Sequence, residues 1–411
     1  VKSMTLRPPQ DPMIIQAIRH SQAMQKARAM NLTRRGFLGA AGISATALAL
    51  AACAPAEKKA LTPATDVSAT EKTLRWDNWP AYMDEDSAGN YPTLMGFEDQ
   101  SGITVTYNVA VDDNNSYYAK SKDALALGQD IGADTVCLTD WMVARLVRNG
   151  YVQTLDHANI PNISNLSPSF ANPDFDKGRQ LSLPWQGGFA GICWNKEKVP
   201  NGLKSVDELW DASLKGRVGV LSEMRDTMGL IMLSQGVDIT GQWGDTEFAN
   251  AMDSFTQQVT DGQIRNIKGN AYLNDLQSED TYAAICWSGD ITSLNAQAGD
   301  KWQFAIPDSG GTLWNDTFVV PMGSAHKANA EAVMNYYYEP EVAAELAAWV
   351  NYVTPVVGAK EAAVALDPQL AENQLIFPDD QTLSTVHVFR TLTPSEENDY
   401  GAQFQKVLLG S

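Results

Sequence analysis

Three short clusters place an aromatic ring beside a carboxylate or a second ring: Trp287-Ser288-Gly289-Asp290, Trp314-Asn315-Asp316 and Trp79-Pro80-Ala81-Tyr82. Such a pairing suits an organic cation. The ring face attracts positive charge and covers methylene groups, while the carboxylate pairs with an ammonium group. Each residue also has a plainer role open to it. Glu223 and Asp226 precede a helical run at 228–234, where either could cap the helix or meet its dipole. Trp287 continues an apolar strand, Asp316 suits a turn, and Tyr352 could pack beneath a helix ending near Val350. The joint placement of these residues, rather than any one of them, favours binding.

Holding them together calls for a cleft, and the elements predict one. Strands at 74–76, 103–107 and 134–138 alternate with helices at 90–101, 117–127 and 142–149, the last stopped by Gly150. This rhythm predicts an α/β fold with a largely parallel sheet. A Pro/Asn/Ser-rich loop covers 159–177. Residues 181–188 read as a crossover, and the glycines at 187–191 as close packing there. A second α/β region opens at 205–211. It contains an amphipathic helix at 245–259, with Phe248, Met252, Phe255 and Val259 on one face and no capping-box Glu at its start. Residues 326–350 read as two helices broken at Pro340.

In open α/β sheets, ligands bind at the carboxyl ends of the strands. Trp79 follows the first strand, and Thr139, Asp140 and Trp141 follow the third. Glu223 and Asp226 follow the run 219–221, and Trp287 and Asp290 the run 282–286. Trp314 and Asp316 stand just before the apolar run 317–320. The aromatic and acidic residues therefore converge on one cleft.

The first stretch reads as an address. Thr33-Arg34-Arg35-Gly36-Phe37-Leu38 matches a twin-arginine export signal, followed by an apolar run at 39–52 of signal-peptide length, short for a membrane span. It ends in Leu50-Ala51-Ala52-Cys53, a lipobox pattern that implies cleavage before Cys53 and a lipid on its thiol. The residues before Met30 fit no signal peptide, which points to a start at Met30 or Met24. A polar tether is expected at 53–72. The whole chain carries −19. Without the basic leader it is near −25 by count, a charge that repels nucleic acid and suits a cationic ligand. A remainder of about 340 residues is typical of two lobes.

Cys137, Cys193 and Cys286 sit in apolar strand-like runs. Their odd number argues for buried free thiols, with a Cys193–Cys286 bridge as the alternative. No Cys/His spacing suits zinc, no Ser or Cys partner motif accompanies His157, His326 or His387, and there is no P-loop. Trp platforms with paired carboxylates also hold and cut sugars, so a glycosidase is the enzyme alternative. No motif sets one close carboxylate pair.

From about Leu74 to its end, the chain resembles the periplasmic spermidine/putrescine-binding proteins of ABC importers. The resemblance rests on Asn78-Trp79-x-x-Tyr82, Gly102-Ile103-x-Val105, Gly150-Tyr151-Val152-Gln153-x-Leu155-Asp156, Asn162-x-x-Asn165-Leu166, Leu183-Pro184-Trp185-x-Gly187, Trp287-x-Gly289-Asp290, Trp314-x-Asp316 and Tyr352-x-Thr354-Pro355. It implies a type II periplasmic-binding-protein fold of two α/β lobes, each a mixed, mostly parallel sheet flanked by helices, with a cleft that closes on ligand. The lobes are expected at 73–185 plus about 316–362, and at about 186–315 plus 363–411. Ring-stacking positions match Trp79, Tyr82, Trp287, Trp314 and Tyr352. Ammonium-binding carboxylates match Asp226, Asp290 and Asp316, with Glu223 a looser match. Thr139 and Trp141 fill the polar and aromatic slots after the third strand.

The family usually has an acidic residue where this chain has Ala81. Asp84, Glu85 or Asp140 could substitute, or the site favours a shorter or less charged amine. The resemblance further implies a non-enzymatic, monomeric periplasmic protein without cofactor. It would capture a polyamine for an ABC permease and touch the membrane only through a lipid at Cys53. A chemosensory role would use the same cleft.

Overall fold

The computed structural model describes residues 60–410. The export signal and Cys53 lie outside the described residues. Among these, ten strands form one mixed sheet: β1 (Thr73–Asn78), β2 (Thr104–Val109), β3 (Thr135–Thr139), β4 (Leu183–Asn195), β5 (Val218–Leu221), β6 (Ile264–Lys268), β7 (Ala283–Trp287), β8 (Trp302–Ala305), β9 (Gly311–Val319) and β10 (Val386–His387). The order is β2-β1-β3-β9-β4-β7-β5-β6, with β8 on β4 and β10 on β9.

Two parallel groups, β2-β1-β3 and β6-β5-β7, lie at the two ends of this order. Parallel neighbours need crossovers, and helices supply them: Pro92–Ser101 and Asn114–Ala126 in one group, Met224–Ser234, Asp245–Thr260 and Tyr272–Gln277 in the other. Between the groups run β4 and β9, antiparallel to each other and to their outer neighbours. Every residue of β4 is buried, as expected of a strand shared by both halves.

Each half has its own apolar core. The first is built around Trp76, Trp185, Phe318 and Tyr337. There Trp76 meets Trp185 edge-on at 5.1 Å, and Trp185 meets Tyr337 at 4.9 Å. In the second, helix Pro394–Leu408 lies on helix Asp245–Thr260, with Phe248 and Tyr400 stacked at 4.0 Å. Cys137, Cys193 and Cys286 are buried free thiols.

Several expectations are corrected. The polar stretch expected to be a tether as far as residue 72 is fastened well before that. The backbone N–H groups of Ala64 and Val67 donate to the Met322 and Ala325 carbonyls, and the Asp66 carboxylate accepts from the Ala328 N–H. Its polar side chains had suggested solvent, but both its main chain and the Asp66 and Ser68 side chains bind the fold. The return to the second lobe, expected at 363, comes later: Ala363, Ala371, Ile376 and Phe377 pack in the first core, and the second begins to receive the chain at Phe389. Helix Asp245–Thr260 does have a capping carboxylate, two positions before the place where it was sought: Glu247 accepts from the Gly244 N–H at 2.8 Å. Trp314 and Asp316 lie within β9 rather than before it. The break at Pro340 appears as expected, with proline at the first turn of helix Pro340–Val350.

Candidate functional site

The carboxyl ends of β1, β3, β5 and β7 face a single cavity of about 990 Å³. All eleven side chains singled out in the sequence line it: Trp79, Tyr82, Thr139, Trp141, Glu223, Asp226, Trp287, Asp290, Trp314, Asp316 and Tyr352.

One wall is a chain of rings meeting edge to face. Trp287 lies 6.5 Å from Trp314, Trp314 lies 5.1 Å from Tyr352, and Tyr352 lies 5.7 Å from Tyr82. Two glycines make room for it. A Cβ on Gly188 of β4 would stand 2.6 Å from the Trp314 ring and 2.8 Å from Tyr352. One on Gly289 would stand 2.8 Å from both Tyr352 and the Asn351 carbonyl. Side-chain rotation alone could not absorb either, so the wall is seated against bare backbone.

Three carboxylates stand against these rings, each held by two neutral donors. Asp316 accepts from the Thr139 and Tyr82 hydroxyls, both at 2.7 Å. Asp290 accepts from the Tyr272 and Tyr352 hydroxyls at 2.8 and 2.9 Å. Asp226 accepts from the Thr312 hydroxyl at 2.7 Å and the Trp287 indole N–H at 2.8 Å. Asp226 and Asp290 also sit in the first turns of their helices, where the dipole favours negative charge. Among the described residues, none of the three forms an ion pair with a cationic side chain.

Burial without a counter-charge raises a carboxyl pKa. Burial pushes Asp316 up to about 7 despite its two hydroxyl donors, with Asp140 and Asp226 adding repulsion. It carries Asp290 to about 6, again against two donors, and raises Asp226 as well, there against two donors and the nearby Arg225 charge. Glu223 is lifted to about 7 by burial, opposed by the neighbouring Arg225 charge. Glu223 also takes the capping role open to it, accepting from the Arg225 N–H at 3.3 Å.

Of the three substitutes considered for Ala81, Asp84 lies away from the cavity and caps a helix by accepting from the Thr93 N–H at 2.8 Å. Asp140 lines the cavity but accepts from the Thr317 hydroxyl and faces Arg179 at 3.9 Å. Glu85 lines the cavity.

Three cavity residues and one behind the wall escaped the sequence reading as site residues: Thr312 anchors Asp226, Asn315 lies beside Asp316, Arg225 brings a cation into an acidic site, and Tyr272, outside the cavity lining, orients Asp290. Thr312 could have been found, because Thr312, Trp314 and Asp316 share the two-residue period of one strand face. Arg225 had no such signal, since Trp141 and Glu397, which hold it beside Glu223, are distant in sequence. Among the described residues, no group of three or more His, Cys, Asp or Glu side chains is placed to hold a metal ion.

The chain is also similar to known proteins. The family described as bacterial extracellular solute-binding protein matches residues 94–374. The spermidine/putrescine-binding periplasmic protein of Salmonella typhimurium is 26% identical over 316 residues, covering 76% of this chain and 85% of that protein. The putrescine-binding periplasmic protein PotF of Escherichia coli is 25% identical over 362 residues, covering 84% and 93%. Among solved structures, the Tp0655 (TpPotD) lipoprotein of Treponema pallidum superposes with a TM-score of 0.69 at 22% identity, covering 82% of this chain and 99% of that one. The fold is that of type II periplasmic-binding proteins.

Proposed function

The chain belongs to the bacterial extracellular solute-binding protein family, and from that premise we propose that its cleft captures a polyamine of the putrescine/spermidine class for an ABC importer. One observation carries this reading: three carboxylates, Asp226 and Asp316 buried and Asp290 half-buried, each oriented by two neutral donors and none in an ion pair among the described residues, stand along a wall of four rings. Buried charge without a partner is costly, so the site is built for a cation brought from outside. Ammonium groups would replace their water with carboxylates and hydroxyls, and the methylenes would lie against rigid rings at small entropic cost. The carboxylates are held singly, each with its own donors, which suits capture better than the facing acid and nucleophile of a glycosidase.

Delivery follows from the family premise. The loaded protein would present its closed cleft to a membrane permease. The Arg-Arg motif and Leu50-Ala51-Ala52-Cys53 support export by the twin-arginine route and a lipid on Cys53. Among the described residues, no helix is long and apolar enough to cross a membrane.

Calorimetry of the purified protein against putrescine, cadaverine, spermidine and spermine tests the reading. Saturable binding of at least one amine is expected. No response to any of the four, alongside a response to a sugar or an amino acid, would contradict it.

A further inference from the structure

Arg225 is the only cationic side chain among the described residues lining the cavity. Its guanidinium carbon lies 3.9 Å from the centroid of the Trp141 ring, and its Nη1 lies 3.8 Å from a Glu223 oxygen. The side chain is only 11% exposed. A second contact fixes it: its Nη2 lies 3.4 Å from Glu397, which also pairs with Arg145 at 3.1 Å and Arg148 at 2.7 Å. Arg145 stands against the same indole, 5.3 Å from its centroid. Both the aromatic face and the carboxylate at this end of the cleft are therefore engaged by the protein's own guanidinium groups.

An aromatic face beside a carboxylate is the arrangement that would otherwise receive an ammonium group. We propose that Arg225 fills one ammonium position of the cleft from within, making it a specificity-determining residue that restricts the ligand to a short amine with two charges. This rests on the polyamine reading above. Three consequences fit together. Asp226, Asp290 and Asp316 stand along the ring wall with neutral groups as their hydrogen-bond donors. Burial carries Asp316 to about 7, which lowers the charge these three offer a ligand near neutral pH. Ala81 stands where the resembling family has an acidic residue, so that position offers no charge to a third ammonium either. A longer triamine would have to displace Arg225 from both Trp141 and Glu223, or carry its extra ammonium away from the rings to the less buried Asp112 or Asp113, which also line the cavity.

The test is the ratio of putrescine to spermidine affinity, measured by calorimetry in the wild type, Arg225→Gln and Arg225→Lys. The wild type is expected to prefer putrescine by tenfold or more. Arg225→Gln is expected to move the ratio at least tenfold toward spermidine, and Arg225→Lys, which keeps the charge, to retain most of the wild-type preference. A purely structural role for Arg225 would weaken both amines alike and leave the ratio in place. Two results overturn the inference: a wild type that binds spermidine as tightly as putrescine, or an Arg225→Gln protein with an unchanged ratio. The first needs no variant, so the inference stays testable even if Arg225→Gln fails to fold. Either result leaves polyamine capture standing, whereas a wild type that binds neither amine removes the reading beneath it.

Discussion

Asp134 and Asp316 are both buried, and they stand at opposite ends of β3, yet they are treated in opposite ways. Asp134 immediately precedes the strand. It takes the Arg75 guanidinium at 2.8 and 3.0 Å, the Arg75 N–H at 2.9 Å and His326 Nδ1 at 3.1 Å. Asp316 faces Thr139 at the carboxyl end and receives two hydroxyls and no cation. The pKa values diverge accordingly: Arg75 and His326 hold Asp134 below the ordinary carboxyl range against its burial, while burial carries Asp316 to about 7. A carboxylate that serves the fold is given its counter-charge by the chain. One that serves a ligand is oriented and left uncompensated.

Removing each carboxylate should separate the two roles. Asp134→Ala leaves Arg75 and His326 without their shared partner. It should lower stability in denaturant unfolding by about 1–3 kcal/mol, because Arg75 is part-exposed and keeps Asp130, while the folded fraction keeps its amine affinity. Asp316→Asn should weaken amine binding a hundredfold or more, about 2.7 kcal/mol, with an unliganded melting temperature equal to the wild type or higher. If Asp316→Asn instead melts well below the wild type, the aspartate belongs with Asp134 as a structural group.

The pH responses should differ in sign. Asp290 and Asp316 have raised pKa values in the folded state, so between about pH 4 and 7 the folded protein holds more protons than the unfolded chain. Their contribution to unliganded stability is therefore present at the acid end of that window and lost as pH rises through it. Amine affinity should climb over the same window, because only the anionic carboxylates pair with ammonium. Asp134, with a lowered pKa, contributes stability above the ordinary carboxyl value of 3.8 and loses it as pH falls through its folded value. Melting curves with and without putrescine from about pH 2 to 8 would resolve both trends. The smallest effect is expected from Tyr272→Phe, which removes one of the two donors to Asp290 and should cost about 1 kcal/mol of binding, roughly fivefold in Kd.

Much of this site could be read from the sequence, because strand ends and residue types are local signals. The aromatic and acidic residues after β1, β3, β5 and β7 follow directly from the α/β rhythm. Placing Trp314 and Asp316 before a strand rather than within β9 was an error of boundary, made because polar residues interrupt the apolar run. What escaped was set by contacts distant in sequence. The partners of Arg225, Trp141 and Glu397, lie on other helices, and the fastening of Ala64 and Val67 depends on carbonyls near residue 325. Side-chain type carries no trace of such backbone pairing. The late return near Phe389 was equally hidden, since the apolar side chains of 363–377 would suit either core.

The central claim is that the cleft holds partly protonated carboxylates awaiting a cation, and proton release on binding tests it most directly. Putrescine would be titrated at pH 6.5 in buffers of different ionisation enthalpy, then again at pH 8.5. A net release of protons is expected at pH 6.5, falling toward zero at pH 8.5 as Asp290 and Asp316 become anionic beforehand. Binding with no proton release at pH 6.5, or no binding at either pH, would contradict the account.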